Sequence, residues 1–170
     1  MQGTPTTYEI TIFAAKAIMS ATFSLRPATA ADVEAIRSLT RDAYSKWVPL
    51  IGREPLPMTA DYTEAVRSHR IDLLDSDGAL AALIEMIPQA DHLLIENVAV
   101  SPAHQGRGLG RKLLAHAEQV AASLGHKEIR LYTNKRFAEN VQLYLKIGYE
   151  IDREEPFKGS FIVHMRKSVG

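Results

Sequence analysis

The sequence predicts an α/β (α+β) fold, and three observations carry that prediction. Two strand-like apolar runs flank Asp75-Ser-Asp-Gly78, a hairpin signal that calls for antiparallel pairing. A nearly unbroken apolar run at residues 93–100 leads through three glycines, Gly106, Gly108 and Gly110, straight into helix-spaced leucines. That helix is followed by another strand-like run at 128–133, which gives one strand–helix–strand crossover and hence a parallel neighbour in the same sheet.

The elements follow in order. Residues 22–26 read as a strand ended by Pro27. Thr29 or Asp32 caps a helix whose Val33, Ile36, Leu39 and Ala43 keep helical spacing. Three prolines and a glycine argue against any regular element over 47–58. Thr59 is expected to cap a second, short helix running through Val66 to Ser68. Strands are expected over 70–74 and 79–87. The strand over 93–100 is apolar except for Glu96 and Asn97, which predicts a central strand buried on both faces. In the helix after it, Leu109, Leu113, Leu114, Ala117, Val120, Ala121 and Leu124 share one face, and Gly125 is placed to end it. A helix over 137–147 is closed by Gly148, and strands over 149–152 and 161–166 complete the chain.

At 170 residues the chain favours one domain with a single sizeable core. The 20 basic and 20 acidic side chains balance, which argues against a chain built for nucleic acid or an anionic membrane. There is no cysteine, so disulfides, thiolate metal sites and a ping-pong route through an acyl-cysteine are excluded. The same absence fits the cytoplasm. Residues 1–20 carry an apolar stretch, but Glu9 and Lys16 interrupt it and no basic residue precedes it, so it does not read as a signal peptide. Residues 8–13 read as an extra strand and 14–20 as a helical turn, with the domain proper starting at Met19 or Ala21. The six histidines form no i, i+3 or i, i+4 pair and no H-E-x-x-H, so no catalytic metal is expected.

A strand, then glycines, then a helix start is a recipe for holding an anion. The first helical N–H groups lack partners and carry the positive end of the helix dipole, and glycine lets an oxygen approach them. Arg107, Arg111 and Lys112 add positive charge beside them. Two common phosphate motifs fail here. The P-loop needs Gly-Lys before Ser or Thr, whereas Gly110 precedes Arg-Lys-Leu, and G-x-G-x-x-G fails at its last glycine from either start.

What does fit is Gln105-Gly106-Arg107-Gly108-Leu109-Gly110, a Q-x-x-G-x-G pattern after Asn97-Val-Ala-Val-Ser-Pro102. Further on come Asn140, Tyr144 and Gly148-Tyr149. In these three pieces, in this order, the sequence resembles the GCN5-related N-acetyltransferase (GNAT) superfamily. The likeness runs from about residue 23 to 166, is strong from 93 to 149, and leaves residues 1–20 outside as an extension to a single domain over 21–170. It implies a mixed, mostly antiparallel sheet of about six to seven strands flanked by about four helices. It implies acetyl-CoA as cosubstrate, with the loop backbone of Gln105, Gly106, Arg107, Gly108, Leu109, Gly110 and Arg111 holding the pyrophosphate. Val98 and Val100 would offer backbone groups to the pantetheine amides, and Asn140 would bond the pantetheine arm or fix the loop. Homodimers are common among such proteins, so the resemblance leaves a homodimer open.

Transfer of an acetyl group to an amine needs a neutral amine, a stabilised oxyanion and a protonated leaving thiolate. Glu96 is the candidate general base, because it interrupts an apolar strand just ahead of the loop, and a partly desolvated carboxylate is suited to take a proton. The plainer alternative is a structural carboxylate satisfied by a neighbouring element. Tyr144 lies one helical turn after Asn140. The resemblance puts it near the CoA sulfur as general acid, against the plainer role of a packed core aromatic. Tyr44, Trp47, Arg53, Glu54 and Met58 are candidates to line the acceptor pocket, with Arg53 suited to a carboxylate and Glu54 to an amine. The expected activity is acetyl transfer to a primary amine of a small molecule or a protein. The rival is a non-catalytic acyl-CoA-binding sensor or scaffold.

Overall fold

The computed structural model describes residues 22–170. The strand and helical turn expected over 8–20, and the expected domain start, lie outside the described residues. Seven strands form one sheet: β1 (Phe23–Pro27), β2 (Arg70–Ser76), β3 (Ala79–Pro88), β4 (Leu93–Val100), β5 (Glu128–Asn134), β6 (Glu150–Phe157) and β7 (Ser160–Ser168). Their order is β1-β2-β3-β4-β5-β7-β6, and every neighbouring pair is antiparallel except β4–β5. Four longer helices accompany it: α1 (Val33–Tyr44), α2 (Tyr62–Ser68), α3 (Leu109–Ser123) and α4 (Ala138–Lys146). The expected architecture is the observed one.

Alternation along the strands sends neighbouring side chains to opposite faces and divides the core in two. Leu74, Ile84 and Met86 join the buried face of α3, which contributes Leu113, Leu114, Ala117 and Ala121. Leu73, Leu83 and Ala99 join Ile36 and Leu39 of α1 and Tyr62 of α2. Asp72 of β2 accepts a hydrogen bond from His116 Nε2 of α3 at 2.7 Å, which pins the helix to the sheet from a carboxylate only 4% exposed. At the far end of α3, Gly125 adopts φ 78° and the N–H groups of Gly125 and His126 cap the carbonyls of Ala122 and Ala121. Leu124 lies past the last helical turn and is exposed, so the apolar stripe ends at Ala121 rather than at Leu124.

Several boundaries differ from the sequence expectation. Asp61, not Thr59, caps α2, its carboxylate accepting from the Glu64 N–H at 3.1 Å. Segment 47–58 is not irregular throughout. Its Val48–Ile51 is one turn of helix, because Pro49 falls in the first turn, where its missing N–H costs nothing, and Gly52 at φ 71° ends it. Leu56–Met58 forms a further 3-10 turn. β6 runs on through Pro156, which an edge strand tolerates, and turns at Lys158-Gly159 into β7.

β4 is central and supplies buried residues to both cores, Leu93 and Ile95 on the α3 side and Ala99 on the α1 side, but it is not buried along its whole length. Its residues alternate strictly, with Leu93, Ile95, Asn97 and Ala99 buried and Leu94, Glu96, Val98 and Val100 half-buried. The β3 register explains this. Glu85 faces Asn97 while Met86 faces Ile95, so Glu96 is an extra, bulged residue. The bulge reverses the phase of the strand. Leu93 and Ile95 point to the α3 face before it, and Val98 and Val100 pack against that same face after it. No helix among the described residues is long and apolar enough to cross a membrane.

Leu113 is 1% exposed where α3 meets the sheet. Replacing it with alanine is expected to cost about 2–5 kcal/mol of stability, read as a lower urea midpoint at unchanged slope.

Candidate active site

The β4–β5 ladder pairs only Leu93–Ile95 with residues 129–131. Both strands continue beyond it, β4 to Val100 and β5 to Asn134, so they part company and open a cleft. The Ser101 N–H donates to the Ala81 carbonyl at 2.8 Å, which sets the odd residues of this stretch toward β3. The backbone groups of Val98 and Val100 therefore face the cleft. Gln105 Nε2 donates to the Val100 carbonyl at 3.1 Å, and the Tyr44 hydroxyl oxygen lies 3.4 Å from the Val98 carbonyl. Gln105 thus ties the glycine loop to the end of β4.

Beyond Gln105, Gly106 (φ 78°) and Gly108 (φ 77°) both take left-handed backbone, which explains why this loop is built of glycine. Gly108 is the N-cap of α3, and the first helical hydrogen bond runs from the Lys112 N–H to its carbonyl at 3.1 Å. The N–H groups of Leu109, Gly110 and Arg111 precede that bond and have no acceptor within the helix. Gln105, Gly106, Gly108, Leu109, Gly110 and Arg111 line a cavity of about 440 Å³ that continues along Val98, Val100, Asn140 and Tyr144. Arg107 lines neither this cavity nor its neighbour. Lys112 turns away, its ammonium 5.2 Å from the centre of the Phe23 ring. His104 also lines this cavity and is half-buried.

A second cavity, of about 310 Å³, adjoins the first. The two share Tyr44, Val98, Asn140 and Tyr144, so these residues stand where they join. Tyr144 and Asn140 project from consecutive turns of α4. Burial pushes the Tyr144 phenol up to about 12, so it keeps its proton at neutral pH. Glu96 lines the second cavity from the bulge, and one of its oxygens, Oε1, accepts from the Tyr132 hydroxyl at 2.7 Å. Of the residues suggested for the acceptor side, Tyr44 and Arg53 line this cavity. Trp47 is buried in a stack on Phe137 with ring centres 4.5 Å apart. Glu54 instead pairs with Arg41 at 2.7 Å, and Met58 is core.

Sequence reasoning did not single out Glu85, His69, Tyr62 or Tyr132, which the fold brings to the same cavity. Glu85, 4% exposed, receives His69 Nδ1 at 2.6 Å. It interrupts an apolar strand just as Glu96 does, and that signal was available. Asn97 joins a relay in which Tyr44 donates to Asn97 (2.9 Å), Asn97 to Tyr62 (3.3 Å) and Tyr62 to the Pro57 carbonyl (2.6 Å). Among the described residues no group of three His, Cys, Asp or Glu is placed to hold a metal ion.

Burial raises the Glu85 carboxyl above the ordinary glutamate range, with the His69 hydrogen bond opposing it. A raised acid takes up a proton on folding, so its contribution to stability falls as pH climbs from the unfolded value toward the folded one. Glu85→Gln is therefore expected to gain stability relative to wild type between about pH 4 and about pH 7, measured by urea unfolding at both. A constant difference between the two proteins would contradict this.

The model of the Acetyltransferase (GNAT) family matches residues 33–149. N-alpha-acetyltransferase 80 of Mus musculus is 31% identical over 88 residues, 52% of this chain and 26% of that protein. Streptothricin acetyltransferase of Streptomyces lavendulae is 32% identical over 76 residues, 44% of this chain and 40% of that protein. The matched stretches thus span less than half of either relative. PaiA N-acetyltransferase from Thermoplasma acidophilum, solved in complex with coenzyme A, superposes with a TM-score of 0.75 at 19% identity, covering 86% of this chain and 99% of that one. The ribosomal-protein-S18-alanine N-acetyltransferase from Escherichia coli gives a TM-score of 0.70 at 18% identity, covering 88% and 95%. At these identities the likeness is one of fold. The family match covers more than half of the chain and contains the glycine loop, the bulged strand and the Asn140–Tyr144 turn, and the chain belongs to the GNAT acetyltransferase family.

Proposed function

We propose that the protein is an acyl-CoA-dependent N-acyltransferase that moves acetyl from acetyl-CoA directly to a primary amine. One observation carries this reading: a cleft fit for the donor and a cavity fit for an acceptor share Tyr44, Val98, Asn140 and Tyr144. The donor side fits a pyrophosphate, with left-handed glycines, three orphan helix N–H groups and Arg111 on one rim. The pantetheine arm then lies along β4 as an added strand, against the cleft-facing backbone of Val98 and Val100. That the PaiA enzyme, of the same fold, was solved in complex with coenzyme A supports coenzyme A as the ligand.

Glu96 takes the proton of the attacking amine, directly or through water, while Tyr132 holds its other oxygen. The amine nitrogen bonds to the acetyl carbon, and a backbone N–H of the Val98–Val100 stretch receives the charge that develops on oxygen. The carbon–sulfur bond breaks and Tyr144 gives its proton to the leaving thiolate. Burial keeps the Tyr144 phenol protonated at neutral pH, so it holds the proton that the leaving thiolate needs. The acceptor cavity, about 310 Å³, is the size of a small-molecule site. A cytoplasmic setting fits the cysteine-free sequence.

Thiol release from acetyl-CoA over an amine panel tests the reading, since binding without turnover would favour a sensor. Tyr144→Phe is expected to lower kcat about 100-fold while shifting coenzyme A affinity, measured by calorimetry, only a few-fold. Equal losses in both would contradict the acid role. Gly108→Val forces a β-branched residue into left-handed backbone at the helix cap and is expected to abolish coenzyme A binding while the fold persists by circular dichroism.

A further inference from the structure

The acceptor cavity carries opposite charges on different walls. Glu96 and Glu85 line it from β4 and β3, and Arg53 lines it from the segment after Gly52. The arginine is the unusual member. It is half-buried, and its Nε is out of water with no hydrogen-bond partner among the described residues. Its Nη1 donates only to the backbone carbonyl of Glu54, at 3.2 Å. The neighbouring Glu54 carboxylate, the obvious counter-ion, is spent on Arg41 instead. The guanidinium lies 5.2 Å from the centre of the Phe157 ring, itself a wall of the cavity. A guanidinium held this way, partly desolvated and without a carboxylate partner, is stabilised by an anion arriving from the cavity, and its planar fork matches a carboxylate.

Resting on the transferase reading above, we infer that the acceptor is an amino acid or a compact amino-acid derivative, its carboxylate on Arg53 and its amine toward Glu96. The Glu96 oxygen that Tyr132 leaves free, Oε2, has no partner among the described residues and is the group positioned for the amine end. Glu85 adds a second carboxylate to the wall that the amine approaches, tied down by His69. The cavity volume suits a molecule of this size and excludes a folded protein surface entering deeply. A simple alkylamine would satisfy the carboxylates and leave Arg53 uncompensated.

The test uses the full chain and acetyl-CoA, with thiol release measured for L-amino acids, each paired with its carboxamide and its decarboxylated amine. Carboxamides have the less basic amine and thus more of the neutral nucleophile at neutral pH, so a preference for the acid runs against nucleophile availability. The expected result is kcat/KM at least about tenfold higher for the acids, expressed mainly in KM. In Arg53→Gln, checked for folding by circular dichroism, the acid-to-amide ratio is expected to fall toward one, and in Arg53→Lys to lie between. Carboxamides or amines equal to or better than the acids in the wild type would overturn the inference, as would an unchanged ratio in a folded Arg53→Gln. If the variant does not fold, the wild-type ratio alone decides. No thiol release from any of these compounds while another amine is acetylated would overturn the inference alone, whereas no release from any amine would overturn the transferase reading itself.

Discussion

Everything at this site depends on β4 and β5 ceasing to pair after three residues. A parallel ladder carried to the ends of both strands would satisfy the backbone of Val98 and Val100 and close the sheet. Because the ladder stops, polar backbone is held at a fixed orientation with a gap beside it. Such groups want partners. The Val100 carbonyl finds one in Gln105, which holds the loop against the gap, while Tyr44 anchors α1 there by donating to Asn97. The cleft is maintained by the cores on either side of it, with α3 bonded to the sheet through His116 and Asp72 and α1 packed on the opposite face.

The bulge at Glu96 does a second job. It reverses the side-chain phase of β4, so Val98 and Val100 return to the α3 face while Asn97 reaches the relay between Tyr44 and Tyr62. The extra residue is also the one that presents a carboxylate to the acceptor cavity. In an unbulged strand one of these placements would be lost, since a shift of one residue moves every side chain across the sheet. Pairing the carboxylate wall of Glu85 and Glu96 with Arg53, which has no carboxylate partner among the described residues, then gives the cavity a polarity that a single charge would not.

Most of the fold was legible because its signals are local. The hairpin at Asp77-Gly78, the α3 stripe and the closing glycines at 125 and 148 are each decided within a few residues. The glycine loop was legible for the same reason, its left-handed angles being a demand that glycine answers. What stayed hidden depends on partners far along the chain. The bulge exists only in the register of β4 against β3. Glu54 looked as suitable for the cavity as Arg53 until Arg41, thirteen positions earlier, claimed it. Lys112 and Arg107 count as loop charge in sequence, yet only Arg111 reaches the cavity, because side-chain direction at a helix start is set by the turn. Asp61 outcompeted Thr59 as a cap because the 3-10 turn at Leu56–Met58 uses up the residues before it.

A crystal structure of the protein with coenzyme A tests the central claim most directly. The pyrophosphate is expected within about 3 Å of the backbone N–H groups at the start of α3, the pantetheine arm beside Val98 and Val100, and the sulfur within hydrogen-bond reach of the Tyr144 hydroxyl. A pyrophosphate seated away from the glycine loop, or a sulfur remote from Tyr144 with the arm outside the β4–β5 cleft, would contradict it.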